Sequence, residues 1–320
     1  MNIEQCFLNN PALLMEGAIQ ERLKREYALA FDPVLRYAHL VHSTTGRRAL
    51  AEIWCQYSGI ARRYRLPFLA ATPTRRLTRE LLESAGRSLS LLHDNVCFLQ
   101  QLKKCSRLEM YAGALMGCRG DAYTGEGALP EPEAHRFHRE QAELFKEAGA
   151  DYLYAALLPT LPEAVGAARA IAGTSLPYLI GFTIQSDGCL IDGTAIHQAI
   201  AAIDRATRAS KQPLCYMACC VHPTIVYAAL SQPFNRTDLV RTRFCGMQAN
   251  TSALPYSELD GAADLKTSDP EQLAAGVLRL KREMNLKILG GCCGTDQRHL
   301  EAIARQITDF INNESAASTH

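Results

Sequence analysis

The chain has 320 residues, 48% of them hydrophobic and 21% charged, and its 34 basic side chains exceed its 33 acidic ones by one. That is globular composition with enough chain for a large core, and the near-neutral charge gives no reason to expect nucleic acid or an anionic membrane as partner. No apolar run reaches the roughly 18 residues of a membrane span, and the opening MNIEQCFLNN lacks the basic start and apolar core of a secretory signal, so a cytoplasmic protein is expected.

Eight short apolar, β-prone runs follow one another: 12–16, 67–73, 110–117, 151–158, 177–184, 213–220, 244–250 and 287–291. Their apolar residues are continuous, as in strands buried on both faces. Residues 17–66 are long for one connection. VHSTTGRR (41–48) reads as a loop and 49–64 as a helix, so the first βα connection is elaborated. Residues 75–104 carry Leu77, Leu81 and Leu82 at helical spacing. Residues 133–150 place charge on one face and Phe137, Leu144 and Phe145 on another. Residues 270–285 begin with Pro after Ser268-Asp269, a helix-start pattern. Eight strand–helix units predict an α/β protein, a single (β/α)8 TIM barrel over residues 1–311, with 312–320 a frayed polar tail. An open doubly wound sheet would more often carry a phosphate-binding glycine turn, and neither G-x-G-x-x-G nor G-x-x-x-x-G-K-[ST] occurs.

Twelve cysteines in a chain of this length are not a small disulfide scaffold. Two clusters stand out. Cys292 and Cys293 lie between glycines in GGCCGT (290–295), just after the eighth strand. Cys219 and Cys220 lie in MACCVHP (217–223), at the end of the sixth. Barrel chemistry sits at the C-terminal strand ends, so both clusters belong to one rim. Three thiolates meeting there can hold Zn²⁺ with one position open, the ligand count of a catalytic site. Neighbouring strand residues face opposite ways, so only one of Cys219 and Cys220 is expected to reach the rim, and Cys220, next to the strand stop, is preferred. The flanking glycines free Cys292 and Cys293 from that alternation. The other eight cysteines read as core filling, and His222 as a hydrogen-bonding loop residue.

GGCCGT together with the upstream strand-end cysteine resembles the homocysteine S-methyltransferase family. LLMEGAIQERL (13–23) resembles that family's opening strand and Asp-Gly turn, YMACCVHP (216–223) its Gly-Val-Asn-Cys segment, and MQANTS (247–252) a strand end carrying Asn at 250. The resemblance implies a (β/α)8 barrel in which Cys220, Cys292 and Cys293 bind Zn²⁺. It implies that Glu16, Gly17 and Asn250 belong to the substrate site. The chemistry implied is methyl transfer from a sulfonium-type donor to a thiol, with homocysteine the leading acceptor and methionine the product. The partners expected are therefore two small molecules, and the sequence is compatible with a homo-oligomer. A different thiol acceptor, or a thiol- and metal-binding protein without turnover, are the rival readings.

Two departures bear on the acceptor. Glu16 stands where the family usually has Asp. Ala156 and Leu157 stand where a Glu-Thr pair ends the fourth strand and grips an amino group. Glu16 itself or Asp121, in the polar loop GCRGDAYTGEG (117–127), is a replacement acid, with turn capping the rival role for Asp121. Thr72 or Thr74 can face the ligand from TPTRR (72–76), with Arg75 for a substrate carboxylate.

Overall fold

The eight apolar runs form eight strands: β1 (Leu13–Met15), β2 (Phe68–Ala71), β3 (Met110–Gly117), β4 (Tyr152–Leu158), β5 (Tyr178–Phe182), β6 (Cys215–Val221), β7 (Phe244–Ala249) and β8 (Ile288–Gly291). The computed structural model describes residues 1–254, 258 and 267–317. Every strand pairs in parallel with its sequence neighbour, and β1 pairs with β8, so the sheet closes into a barrel. No helix among the described residues is long and apolar enough to cross a membrane.

Strands buried on both faces need helices outside and side chains inside. The inside is filled by large groups set against glycines. The Tyr152 ring occupies the space above Gly113, where a Cβ would lie 2.2 Å from it, and its hydroxyl donates to the Ala70 carbonyl. The Tyr154 hydroxyl donates across the barrel to Gln248 Oε1 at 2.9 Å, joining β4 to β7. Both tyrosines are fully buried.

The helix ends follow local chemistry. The helix Pro270–Met284 starts where expected, with the Asp269 carboxylate accepting the Glu271 and Gln272 N–H groups. The stretch 75–104 is not one helix. It divides into Arg79–Ser84 and Ser90–Ser106, because the chain turns at Gly86 in the left-handed region, φ 63°. Residues 44–48, expected in a loop, open the helix Thr44–Arg63, capped by the Ser43 hydroxyl on the Gly46 N–H. The polar segment from 312 does not fray at once: the last helix, Gln297–Ala317, runs on through it, and 318–320 lie outside the described residues.

The first βα connection is elaborated as expected. It holds the short helix Gln20–Glu26 and a loop carrying the ring pair Phe31 and Tyr37, centroids 5.8 Å apart, before Thr44.

Candidate metal centre

Cys220 is the penultimate residue of β6, while Cys292 and Cys293 follow β8. The Cys220 and Cys293 sulfurs are 3.4 Å apart. Among the described residues these three are the one group of three His, Cys, Asp or Glu side chains whose donor atoms lie within 4.8 Å of one another. Cys220 and Cys292 are half-buried and Cys293 is exposed. A compact set of three soft sulfur donors, open on one side, fits Zn²⁺ with a free position.

Cys220 reaches the rim by leaving strand geometry. Alternation gives the inward position to Cys219, whose sulfur lies 2.8 Å from the Tyr154 hydroxyl inside the barrel. Cys220 adopts φ 52°, and the β6–β7 register shifts between Cys219 and Val221. The bulge turns a second consecutive sulfur toward the mouth. Hydrogen bonds from the Cys292 and Cys293 thiols hold Cys220 well below the usual thiol range despite burial. Donating to Cys220 raises Cys292. Cys219, by contrast, is pushed up to about 11 by burial.

The two-cysteine loop is stitched to its neighbours by its backbone. The Cys292 N–H donates to the Ala249 carbonyl, the Thr251 N–H to the Cys293 carbonyl, and the Gly291 N–H to the Glu16 carbonyl. Thr295 donates its hydroxyl to the Cys292 carbonyl and accepts the Ala18 N–H at 3.1 Å. Only Gly294 among the loop's glycines needs the left-handed region, φ 81°. Gly290 and Gly291 are required for space: a Cβ on Gly291 would sit 2.3 Å from the Thr295 hydroxyl, and one on Gly290 2.8 Å from Met15.

The remaining expected residues divide. Asn250 faces the thiols, its amide donating to Cys220 Sγ at 3.5 Å. Gly17 lies beneath the first turn, where a Cβ would meet the Tyr57 hydroxyl at 2.8 Å; that hydroxyl donates to the Ala18 carbonyl. Glu16 is buried, and its Oε2 accepts from the Trp54 indole at 2.6 Å and the Ala71 N–H. Burial raises its carboxyl to about 8, so near pH 7 it is mostly neutral. Thr72 accepts the Leu115 N–H and shares a 2.7 Å bond with Thr74, which donates to the Leu115 carbonyl; both hydroxyls are engaged with β3. Asp121 accepts the Tyr123 and Thr124 N–H groups, the turn-capping role. His222 bonds Thr224 and caps the helix Pro223–Leu230. Of the eight cysteines expected to pack in the core, Cys6, Cys118, Cys215 and Cys245 do so, Cys97 and Cys189 are half-buried, and Cys55 and Cys105 are exposed.

Two residues at the centre were not anticipated. Tyr123, two positions past Asp121, donates its hydroxyl to the Cys220 sulfur. Burial first, and then the surrounding sulfurs, raise its phenol. Glu21 accepts the Gly294 N–H at 2.5 Å from the first turn of Gln20–Glu26. Burial raises its carboxyl above the usual range, and the Cys220 charge adds to that. Glu21 is signalled in the sequence by its place just after the Glu16-Gly17 turn, and Tyr123 by the polar loop that holds it. A flank cavity of about 460 Å³, lined by Leu77, Arg79, Phe137 and Leu144 among others, touches none of the thiols.

No curated protein matches the chain. Among solved structures it is similar to the homocysteine methyltransferase MmuM from Escherichia coli. For the oxidized form the TM-score is 0.74 at 18% identity, covering 96% of this chain and 100% of that one. For the metallated form it is 0.71 at 19% identity, covering 94% and 98%. These likenesses establish the shared barrel. The sequence model described as homocysteine S-methyltransferase matches residues 13–307, nearly the whole barrel with both cysteine clusters, and the chain belongs to that family.

Proposed function

We propose that this methyltransferase moves a methyl group from a sulfonium donor to the thiol of homocysteine, giving methionine, with Zn²⁺ held by Cys220, Cys292 and Cys293. The observation that carries this reading is the convergence of those three sulfurs at the barrel mouth, in a chain of this family. Bound there, the ion would leave one position for the acceptor thiol and favour its deprotonated, nucleophilic form. In the transfer, the acceptor sulfur forms a bond to the methyl carbon. The donor's carbon–sulfur bond breaks, and its electron pair leaves with a neutral thioether.

The chain's own residues hold the sulfur set in place. Tyr123 and Asn250 both donate to Cys220, which fixes that ligand and moderates its charge. Burial raises the Tyr37 phenol, and Glu16, Cys292 and Cys293 are close enough to add to that. Ala156 supplies no acid on β4. Glu21 is the carboxylate beside the thiols, with one oxygen on Gly294, and we assign it the acceptor's ammonium. The same reading gives the enzyme a part in methionine formation in the cytoplasm.

The test is zinc content of reductively purified protein together with homocysteine methylation by S-methylmethionine. About one zinc per chain with turnover is expected. Ala156 favours one second reading, a different thiol acceptor on the same centre, and one zinc without turnover on homocysteine would select it. No zinc on fully reduced protein would overturn both.

A further inference from the structure

We propose that Glu163 is a positioning residue for the thiol centre: its buried carboxylate closes the loop 119–129 at both ends and so holds Tyr123 against Cys220. Glu163 lies in the first turn of the helix Leu161–Ala172 and is completely buried. One carboxylate oxygen accepts the Arg119 N–H at 2.8 Å, and the other the Leu129 N–H at 3.3 Å. The two donors lie one residue inside either end of the excursion 118–130 between β3 and the helix Glu131–Glu147. A single side chain therefore joins the ends of an irregular segment that has no strand or helix of its own.

The burial of Glu163 is built by the helix packing. Gly166, one turn further on, meets the preceding helix so closely that a Cβ would lie 2.5 Å from Ala134 and 2.6 Å from the Glu131 carbonyl. Beside the carboxylate, 3.5 Å away, is His138 Nε2, also fully buried, and neither ring nitrogen of His138 has a hydrogen-bond partner among the described residues. A buried carboxylate that accepts two backbone amides is costly unless those bonds are kept. The pair of amides it accepts is thus strongly specified.

The loop transmits that constraint. Asp121 N–H donates to the Glu126 carbonyl, Gly125 N–H returns to the Asp121 carbonyl, and Ala128 N–H bonds the Gly125 carbonyl. At the neck Gly120 passes so near the Glu126 carbonyl that a Cβ would lie 2.1 Å from it. Asp121 fixes the Tyr123 backbone directly, and the Tyr123 hydroxyl reaches Cys220. The ordered chain of contacts runs Glu163, loop neck, Asp121 turn, Tyr123, Cys220.

The inference deepens the proposed metal centre, but one of its two readouts needs no metal. The first is the alkylation rate of Cys220 by iodoacetamide in the reduced, metal-free full-length protein, located by tandem mass spectrometry. The second is zinc affinity by chelator competition. Glu163→Gln replaces one acceptor with a donor facing an amide N–H, and Tyr123→Phe removes the hydroxyl. Each is expected to change Cys220 alkylation severalfold and weaken zinc about tenfold, as loss of an outer contact to a ligand does. The double variant is expected to be no worse than either single one. Gly120→Ala opens the neck without touching Glu163 and should reproduce the effect, which keeps the test decisive if Glu163→Gln does not fold. Wild-type behaviour of folded Glu163→Gln, or of Gly120→Ala, would overturn the proposal. So would fully multiplicative effects of Glu163→Gln and Tyr123→Phe. Altered alkylation in a protein that binds no zinc would leave the positioning role standing and remove only the metal reading.

Discussion

Cys219 and Cys220 are adjacent in the chain and belong to different environments: the Cys219 sulfur meets the Tyr154 hydroxyl at 2.8 Å in the barrel interior, while the Cys220 sulfur meets Cys293 at 3.4 Å at the mouth. The left-handed backbone at Cys220 makes the separation. A non-glycine residue there costs of order 1 kcal/mol, and the bonds that Cys220 gains at the mouth offset it.

The two cysteines should therefore separate in metal binding. Cys220→Ala and Cys292→Ala are expected to reduce zinc stoichiometry from about one toward zero. Cys219→Ala should retain it and lose stability by roughly 1–3 kcal/mol through a small cavity and a weakened Tyr154 site. Metal analysis of reduced protein, with urea unfolding, checks both. Zinc retained in Cys220→Ala would reverse the assignment.

Glu16 predicts a pH dependence. Its folded carboxyl titrates near 8, above its value of 4.5 in the unfolded chain. Between those values the folded state holds a proton that the unfolded state has lost. Its contribution to stability is therefore complete below about pH 4.5 and declines as pH rises through 8, by at most about 1.4 kcal/mol per pH unit. Glu16→Gln can still accept from Trp54 and Ala71, so its unfolding curve should be flatter over pH 5–9. Equal slopes for the two proteins would refute the burial argument.

Glu21 is testable through substrate shape. Glu21→Gln keeps an acceptor for Gly294 and removes the charge. Affinity for homocysteine should fall about tenfold, while affinity for 4-mercaptobutyrate, which has the same thiol and carboxylate but no amine, stays within about twofold. Calorimetry on the metal-loaded protein gives the ratio, and an equal loss for both thiols would assign Glu21 to the loop alone.

Packing inside the barrel yields a stability prediction. A methyl at Gly181 would lie 2.2 Å from the Cys219 sulfur and about 3 Å from the Tyr154 ring. Gly181→Ala is expected to cost about 1–3 kcal/mol by overpacking, measured from the urea midpoint. Pairing it with Cys219→Ala should recover part of that cost, because the methyl then occupies the vacated space.

All eight strands were legible, because strands covered on both faces are continuous apolar runs and they recur here in alternation with amphipathic stretches. Helix boundaries were less so: the division of 75–104 falls at the turn around Gly86, and the start at Thr44 rests on one Ser43 cap. The convergence of Cys220 with Cys292 and Cys293 was legible, but alternation by itself favours Cys219 as the inward residue. The bulge that resolves this is a backbone event with no residue-type signature, since Cys220 is not a glycine. Thr72 and Asp121 look functional by type and position and are engaged by backbone amides. Tyr123 reaches the centre from a loop and Glu21 from the first turn of the helix Gln20–Glu26, and both are placed by tertiary contacts, which local patterns do not encode.

The centre draws on both ends of the barrel: Glu21 follows β1, and its partner Gly294 follows β8, more than 270 residues later. During synthesis on the ribosome, Cys220 is made over 70 residues before the two thiols it joins. A nascent chain thus carries an unpartnered cysteine until β8 closes against β1. On the proposed reading, metal capture is among the last events of maturation, and truncated chains ending before Cys292 should emerge unable to acquire the ion however well their earlier units fold.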